Sequence, residues 1–320
     1  MGRVGEARYS VSKLGHDTCR RMPGTLGGAR RMLRIVLAIL STLAATGAMS
    51  AVNLSALWDF SNPAVSEHRF RDALKSAAGD DRLIIQTQIA RTFMLRKDFA
   101  AARNVLQAIS SDVAAAGAEA KARYWLELGR SHASHRHDPA IQTPESRRIA
   151  RDAFSTAIKI SREAKLDGLT VDALHMLVFV DTAPADQLKW NEEALAVIAA
   201  SEQPDAKRWE ASIRSNAGEA LYDLGRHDEA MSYFRRALVL REQSDDPRGV
   251  RDAYWHMARV LRIQGHLDDA LAIQLRLERE SDVAQQPRDY IYEELQLLYQ
   301  AKGDASRARE YEQRAKALHR

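Results

Sequence analysis

The sequence predicts an all-α chain in which antiparallel helix pairs stack side by side into a right-handed superhelical solenoid. Three observations predict it. Strong helix formers dominate, and only 8 Pro and 16 Gly punctuate the 320 residues. No long run alternates Val, Ile and Thr with polar residues, so a sheet is not indicated. Small residues and large aromatics recur at matching offsets from residue 83 onward, as in a chain built from one repeated unit.

In chain order, residues 1–31 show no hydrophobic period and read as a leader, or as an extension ahead of a start at Met32. Arg30, Arg31 and Arg34 then precede an apolar run, 35–40, and small residues, 46–51. A basic start, a short apolar stretch and a small-residue exit match a secretory signal ending before Ala51. The alternative is an uncleaved membrane anchor at 32–50, against which Ser41, Thr42 and Thr46 dilute the run. The expected location is therefore exported, in the periplasm of a bacterial envelope, with anchoring by 32–50 as the alternative.

This segment also decides how charge and cysteine are read. Eight of the 47 basic residues and two of the 43 acidic ones lie in 1–50, which leaves 39 and 41 in 51–320. The body is near neutral, so it lacks the electrostatic footprint of a nucleic-acid binder. The single cysteine, Cys19, lies in the leader, so the body can build neither a disulfide framework nor a thiolate metal site.

The body opens with a linker and an amphipathic capping helix at 65–78, together 51–82. About six helix pairs fill 83–320. At 83–110, Ala90, Phe93, Phe99, Ala102, Leu106 and Ile109 form one copy, with Lys97 where a turn glycine is expected. Trp125, Leu128, Gly129, Ala150, Phe154 and Ala157 form the next, its turn lengthened by an insertion at 132–146. The copy at 168–200 is the weakest: Asp181, Thr182, Ala183 and Pro184 make its turn, and Gln187 replaces an expected Ala. The clearest copy, 211–240, carries Gly218, Leu221, Leu224, Gly225, Ala230, Phe234 and Ala237. Its Gly225 suits the left-handed conformation that closes a helix, and Asp228 and Glu229 suit the first turn of the next. Ala258, Leu261, Gly265 and Ala270 repeat this layout 40 residues on, and Tyr299, Gly303, Ala308 and Ala315 a further 38 on. One such pair cannot bury its own apolar face, so stacking is required.

This Gly- and Ala-punctuated layout resembles the tetratricopeptide repeat (TPR) family, in the long-repeat form found in kinesin light chains and bacterial regulators. The resemblance implies a concave face lined by positions 2, 5, 9 and 12 of each first helix. Those positions include Arg91, Met94, Leu126, Arg130, Asp172, Met176, Phe179, Glu219, Tyr222, Trp255, Arg259 and Arg262. It implies a protein or peptide partner and no cofactor, metal or membrane insertion of the body. The Lys and Asn set of the family's carboxylate clamp is absent.

The candidate groove residues are Arg91, Arg130, Asp172, His175, Tyr222, Trp255, Arg259 and Arg262. Trp255, Arg259 and Arg262 lie at i, i+4 and i+7, one helical stripe. Two guanidinium groups beside an indole can hold a carboxylate or phosphate by paired bonds. Arg130 is a further contact. Asp172 and His175, at i and i+3, could pair as a carboxylate and imidazole, which is the one arrangement that would favour a hydrolytic enzyme. His132, His135 and His137 fall in the insertion, where they suit a polar surface loop better than a metal site. No phosphate-binding Gly-rich loop, nucleophile elbow or His-Glu-x-x-His occurs. The function expected is a non-enzymatic scaffold or assembly factor that grips a partner in its groove. A sensor of a small peptide or anionic ligand is the alternative.

Overall fold

The computed structural model describes residues 52–318 apart from Pro139 and Ile141. The expectations for 1–50 lie outside the described residues. A short α1 (Leu54–Leu57) and α2 (Pro63–Leu74) lead in. Six pairs follow: α3 (Gly79–Leu95) with α4 (Phe99–Val113), α5 (Ala118–His132) with α6 (Pro144–Glu163), and α7 (Asp167–Leu177) with α8 (Pro184–Ala200). After a one-turn α9 (Pro204–Lys207) come α10 (Glu210–Asp223) with α11 (His227–Gln243), α12 (Pro247–Ile263) with α13 (Leu267–Val283), and α14 (Asp289–Ala301) with α15 (Ala305–Leu318). No strand occurs among the described residues. Each pair packs on the next, so the chain is an α-helical solenoid within the unit Ala48–Arg320. None of the described helices is long and apolar enough to cross a membrane.

The repeat residues do what their sizes suggest. Ala102, Ala150, Ala230, Ala270 and Ala308 are buried, and so are Phe154 and Phe234. The Phe154 ring lies against Gly129 and the Phe234 ring against Gly218, where an added Cβ would come within 2.5 Å of the Phe234 Cε1. Each buried phenylalanine contributes about 1.5–3 kcal/mol of burial energy. The largest cluster joins α5 to α10 through Leu126, Phe154, Leu174, Leu177, Ile198 and Ile213.

Turn chemistry sets the boundaries. Gly225 closes α10 at φ 75°, a region L side chains rarely enter. Lys97 occupies the same left-handed region at φ 64° and closes α3. Asp98 Oδ1 then accepts from Ala101 N at 3.0 Å and starts α4. The lead-in helix is Pro63–Leu74 rather than 65–78, because Asn62 caps it and Pro63 suits its first turn.

The insertion is more tightly held than a polar surface loop would be. His137 stacks on Phe99 with centroids 3.7 Å apart. Its Nδ1 lies 3.0 Å from Ser134 Oγ and its Nε2 3.3 Å from the Ser131 carbonyl. Thr143 and Ser146 then form a reciprocal capping box on α6. Among the described residues no cluster of three His, Cys, Asp or Glu could hold a metal ion.

Candidate functional site

The first helices of successive pairs put a row of charged groups side by side. From α5, Arg130 Nη1 donates to Glu127 Oε1 at 2.5 Å, and Nη2 donates to Asp172 Oδ1 on α7. Arg91 on α3 reaches the same two carboxylates, at 3.5 Å from Glu127 and 3.9 Å from Asp172. Glu127, Arg130 and Asp172 are all buried. Burying such charges is tolerable only because each has a partner of opposite sign. Burial works against the ionised Asp172, but Arg130 and Arg91 outweigh it and hold its pKa below the usual carboxylate value. Glu127 Oε2 has no hydrogen-bond partner, and Glu127 is 1% exposed.

Next to this row, His175 Nδ1 lies 3.1 Å from Asn216 Nδ2 on α10. An amide nitrogen can only donate, so Nδ1 accepts and the neutral ring carries its proton on Nε2. The ring meets Phe179 and Trp209 at 5.3 and 5.4 Å. The Asp172–His175 pair that would favour acid–base chemistry is not formed: both carboxylate oxygens of Asp172 face arginines.

A second row crosses α10, α12 and α14. Arg259 Nη1 donates to Glu219 Oε1 at 2.6 Å, and His256 Nδ1 faces the same oxygen. The Arg259 guanidinium lies over Tyr222 at 4.3 Å and Trp255 at 4.6 Å. Arg262 donates through Nε and Nη2 to the two oxygens of Glu294, at 2.5 and 3.3 Å. Trp255 Nε1 donates to the Tyr290 carbonyl at 3.2 Å. Burial raises the Glu294 pKa despite Arg262. Burial acts the same way on Glu219, but His256 and Arg259 outweigh it and lower its pKa.

The structure thus gathers Arg91, Arg130, Asp172 and His175 in one region, and Tyr222, Trp255, Arg259 and Arg262 in another. The two arginines of the Trp255 stripe are not open forks, since Arg262 already spends its paired bonds on Glu294. Met94, Leu126 and Met176 belong to the core rather than the face. The face position next to Leu126 is Glu127, which sequence spacing passed over. Phe60 was also missed, because it precedes the repeats, and Trp58, which suits packing by its sequence, stands beside it. Their rings stack at 4.6 Å, with the Arg91 guanidinium 5.8 and 6.0 Å from them, and Phe60 is 62% exposed. Two aromatics two residues apart beside a helix cap were their only signal.

Comparison with known proteins follows the same lines. Residues 209–278 match the model of the tetratricopeptide repeat family. No curated protein matches the chain. Among solved structures, one similar chain is a signal-transduction ATPase of the STAND type with a tetratricopeptide repeat sensor from Pyrococcus horikoshii. It has 14% identity and a TM-score of 0.62, with 90% of this chain and 43% of that one covered. This chain therefore spans less than half of that protein. PilW, a type IV pilus biogenesis factor, is similar at 20% identity and a TM-score of 0.53, covering 73% and 92%. Aspartyl phosphate phosphatase F from Bacillus subtilis is similar at 15% identity and a TM-score of 0.56, covering 90% and 70%. At these identities the likeness concerns the fold.

Proposed function

The chain is a tetratricopeptide-repeat protein, and from that premise we propose that it is an exported, non-enzymatic scaffold or assembly factor. It holds an extended protein or peptide segment along its first-helix face. The observation that carries this reading is that in each of the two rows aromatics stand beside ion-paired charges, Trp58 and Phe60 beside Arg91, and Tyr222 and Trp255 beside Arg259. Aromatic anchors set among satisfied charges suit recognition of a mixed polypeptide surface. The acid–base pair expected at Asp172 and His175 is not formed, because both Asp172 oxygens face arginines, and this favours a binding role over catalysis. The type IV pilus factor among the similar folds is a precedent for assembly work, and the basic and apolar residues of 30–40 support export.

Arg259 is the residue to change, because it is held between Tyr222, Trp255 and Glu219 at the centre of the second row. In a crosslinking pull-down from the native envelope fraction, Arg259→Glu should reduce capture of the partner roughly tenfold, as expected when a charged contact worth about 1.4 kcal/mol is lost. Equal recovery of every captured protein by both chains would sink the reading. A sensor is the second reading. In its favour, Arg130–Asp172 and Arg262–Glu294 each join neighbouring pairs and must yield if the pairs rotate. Small-angle scattering separates the two: an unchanged radius with the captured peptide bound supports the scaffold, and a changed radius the sensor.

A further inference from the structure

An open, solvent-facing cavity of about 710 Å³ lies between elements far apart in the chain. Lys97 from the first pair's turn, His135, Arg136, His137 and Asp138 from the second pair's insertion, and Arg248 from the start of α12 line it. Three fixed cations therefore face one anion. Lys97, Arg136 and Arg248 are exposed, and none of them forms an ion pair with a described residue, in contrast to Arg91, Arg130, Arg259 and Arg262. The carboxylate of Asp138 is itself engaged, accepting from Ala140 N at 2.9 Å.

The cations stand on rigid supports. Lys97 is held in a closed left-handed turn. The insertion is pinned by His137 on Phe99 and on the Ser131 and Ser134 oxygens. Arg248 occupies the first turn of α12, just after the Asp246 cap, whose carboxylate accepts from Gly249 N at 3.0 Å and pairs with Arg241. A helix N-terminus carries partial positive charge and favours anions, so an arginine there works against local stability. Asp246 also feels Arg248, but its ion pair is with Arg241, so the positive charge of Arg248 is offset only in part. His135 lies beside Arg136, and its pKa is lowered by burial first and then by Arg136, Arg130 and Arg91.

We propose that this cavity binds an acidic segment of a polypeptide, through Lys97, Arg136 and Arg248. Three considerations select that ligand. The site is open and broad, so it leaves room for a group larger than one phosphate. The cations come from three separate elements, which suits several carboxylates spread along a chain. The body outside the cavity is near neutral, so it lacks the broad basic surface that nucleic acid requires. The site is separate from the ion-paired rows of the first-helix face and does not rest on the groove reading.

The test is fluorescence anisotropy of the full chain with fluorescein-labelled octaglutamate at low salt. The wild type should bind it, and octalysine should not bind. Arg136→Glu with Arg248→Glu should weaken octaglutamate binding at least tenfold. The fold should survive, because a glutamate suits the first turn of α12 better than an arginine does. Arg235→Glu with Arg279→Glu makes the same change of net charge at two other exposed positions and should cost less than twofold. Equal losses in both double variants, or no loss in the first, overturn the proposal. Binding of inorganic phosphate in the absence of any octaglutamate binding also overturns it, by reassigning the cavity to a small anion.

Discussion

A neutral imidazole wedged between two aromatic rings and held to an amide resists protonation, and His175 is such a group. Burial lowers its pKa from 6.5 to about 4, against the opposing pull of Asp172 and with help from Arg130 and His135. In the unfolded chain the ring titrates near its ordinary value, so the unfolded state takes up the proton first. Stability is therefore unaffected by this group above pH 6.5 and falls as the pH drops from 6.5 toward 4, by up to about 3 kcal/mol. His132, His135 and His137 are lowered in the same direction, each chiefly by burial, and add to the slope. His175→Gln keeps a polar group near Asn216 and cannot titrate. Its thermal midpoint should fall less than that of the wild type between pH 7 and pH 4.5, as followed by circular dichroism. Parallel falls would show that the buried ring is not the source. At this scale the sequence was only half legible. Spacing brought Asp172 and His175 to one face, but it gave no hint that Asp172 would turn to Arg130, 42 residues away, and leave His175 to Asn216.

At the scale of the helix pair, residues at matching positions are matched in size. Gly129 faces Phe154 and Gly218 faces Phe234. In the next copy Ala258 takes the glycine position and Gln274 the phenylalanine position, and both are buried. The exchange leaves a defect, since neither Nε2 nor Oε1 of Gln274 has a hydrogen-bond partner. An unsatisfied buried polar group costs about 1–3 kcal/mol. Gln274→Leu removes both groups at similar volume and should stabilise the protein by about 1–2 kcal/mol, read as a higher urea midpoint at an unchanged slope. A lower midpoint would mean that the amide is satisfied in solution. The pairs themselves were legible, even where Lys97 stands in for glycine, because the flanking Phe93, Phe99 and Ala102 keep the spacing. Helix rotation was less so. One residue is about 100° around a helix, which is why the face expected at Leu126 belongs to Glu127. The weak third pair was legible only by its turn: Gln187 replaces alanine there because its Nε2 donates to the Val178 carbonyl at 3.0 Å.

For the whole molecule, each pair buries its apolar face only against its neighbours, so stability is close to a sum of pair and interface contributions. The stacking follows from that argument and the sequence alone, whereas the ion pairs that tie pair to pair do not. Repeat alignment assigns residues to faces but says nothing about which charges meet across an interface. The same additivity sets how damage spreads. Phe154 is fully buried in the cluster that joins α5 to α10. Phe154→Ala should cost about 3–5 kcal/mol. If interfaces act only between neighbours, hydrogen exchange should accelerate throughout α5 to α10. The amides of α14 and α15, packed on α12 and α13 around Leu277, Leu295 and Tyr299, should keep their protection. Mass spectrometry of exchange resolved by peptide decides it. Acceleration across every helix would mean that the pairs unfold as one unit, and then a ligand at one end of the stack would be felt at the other.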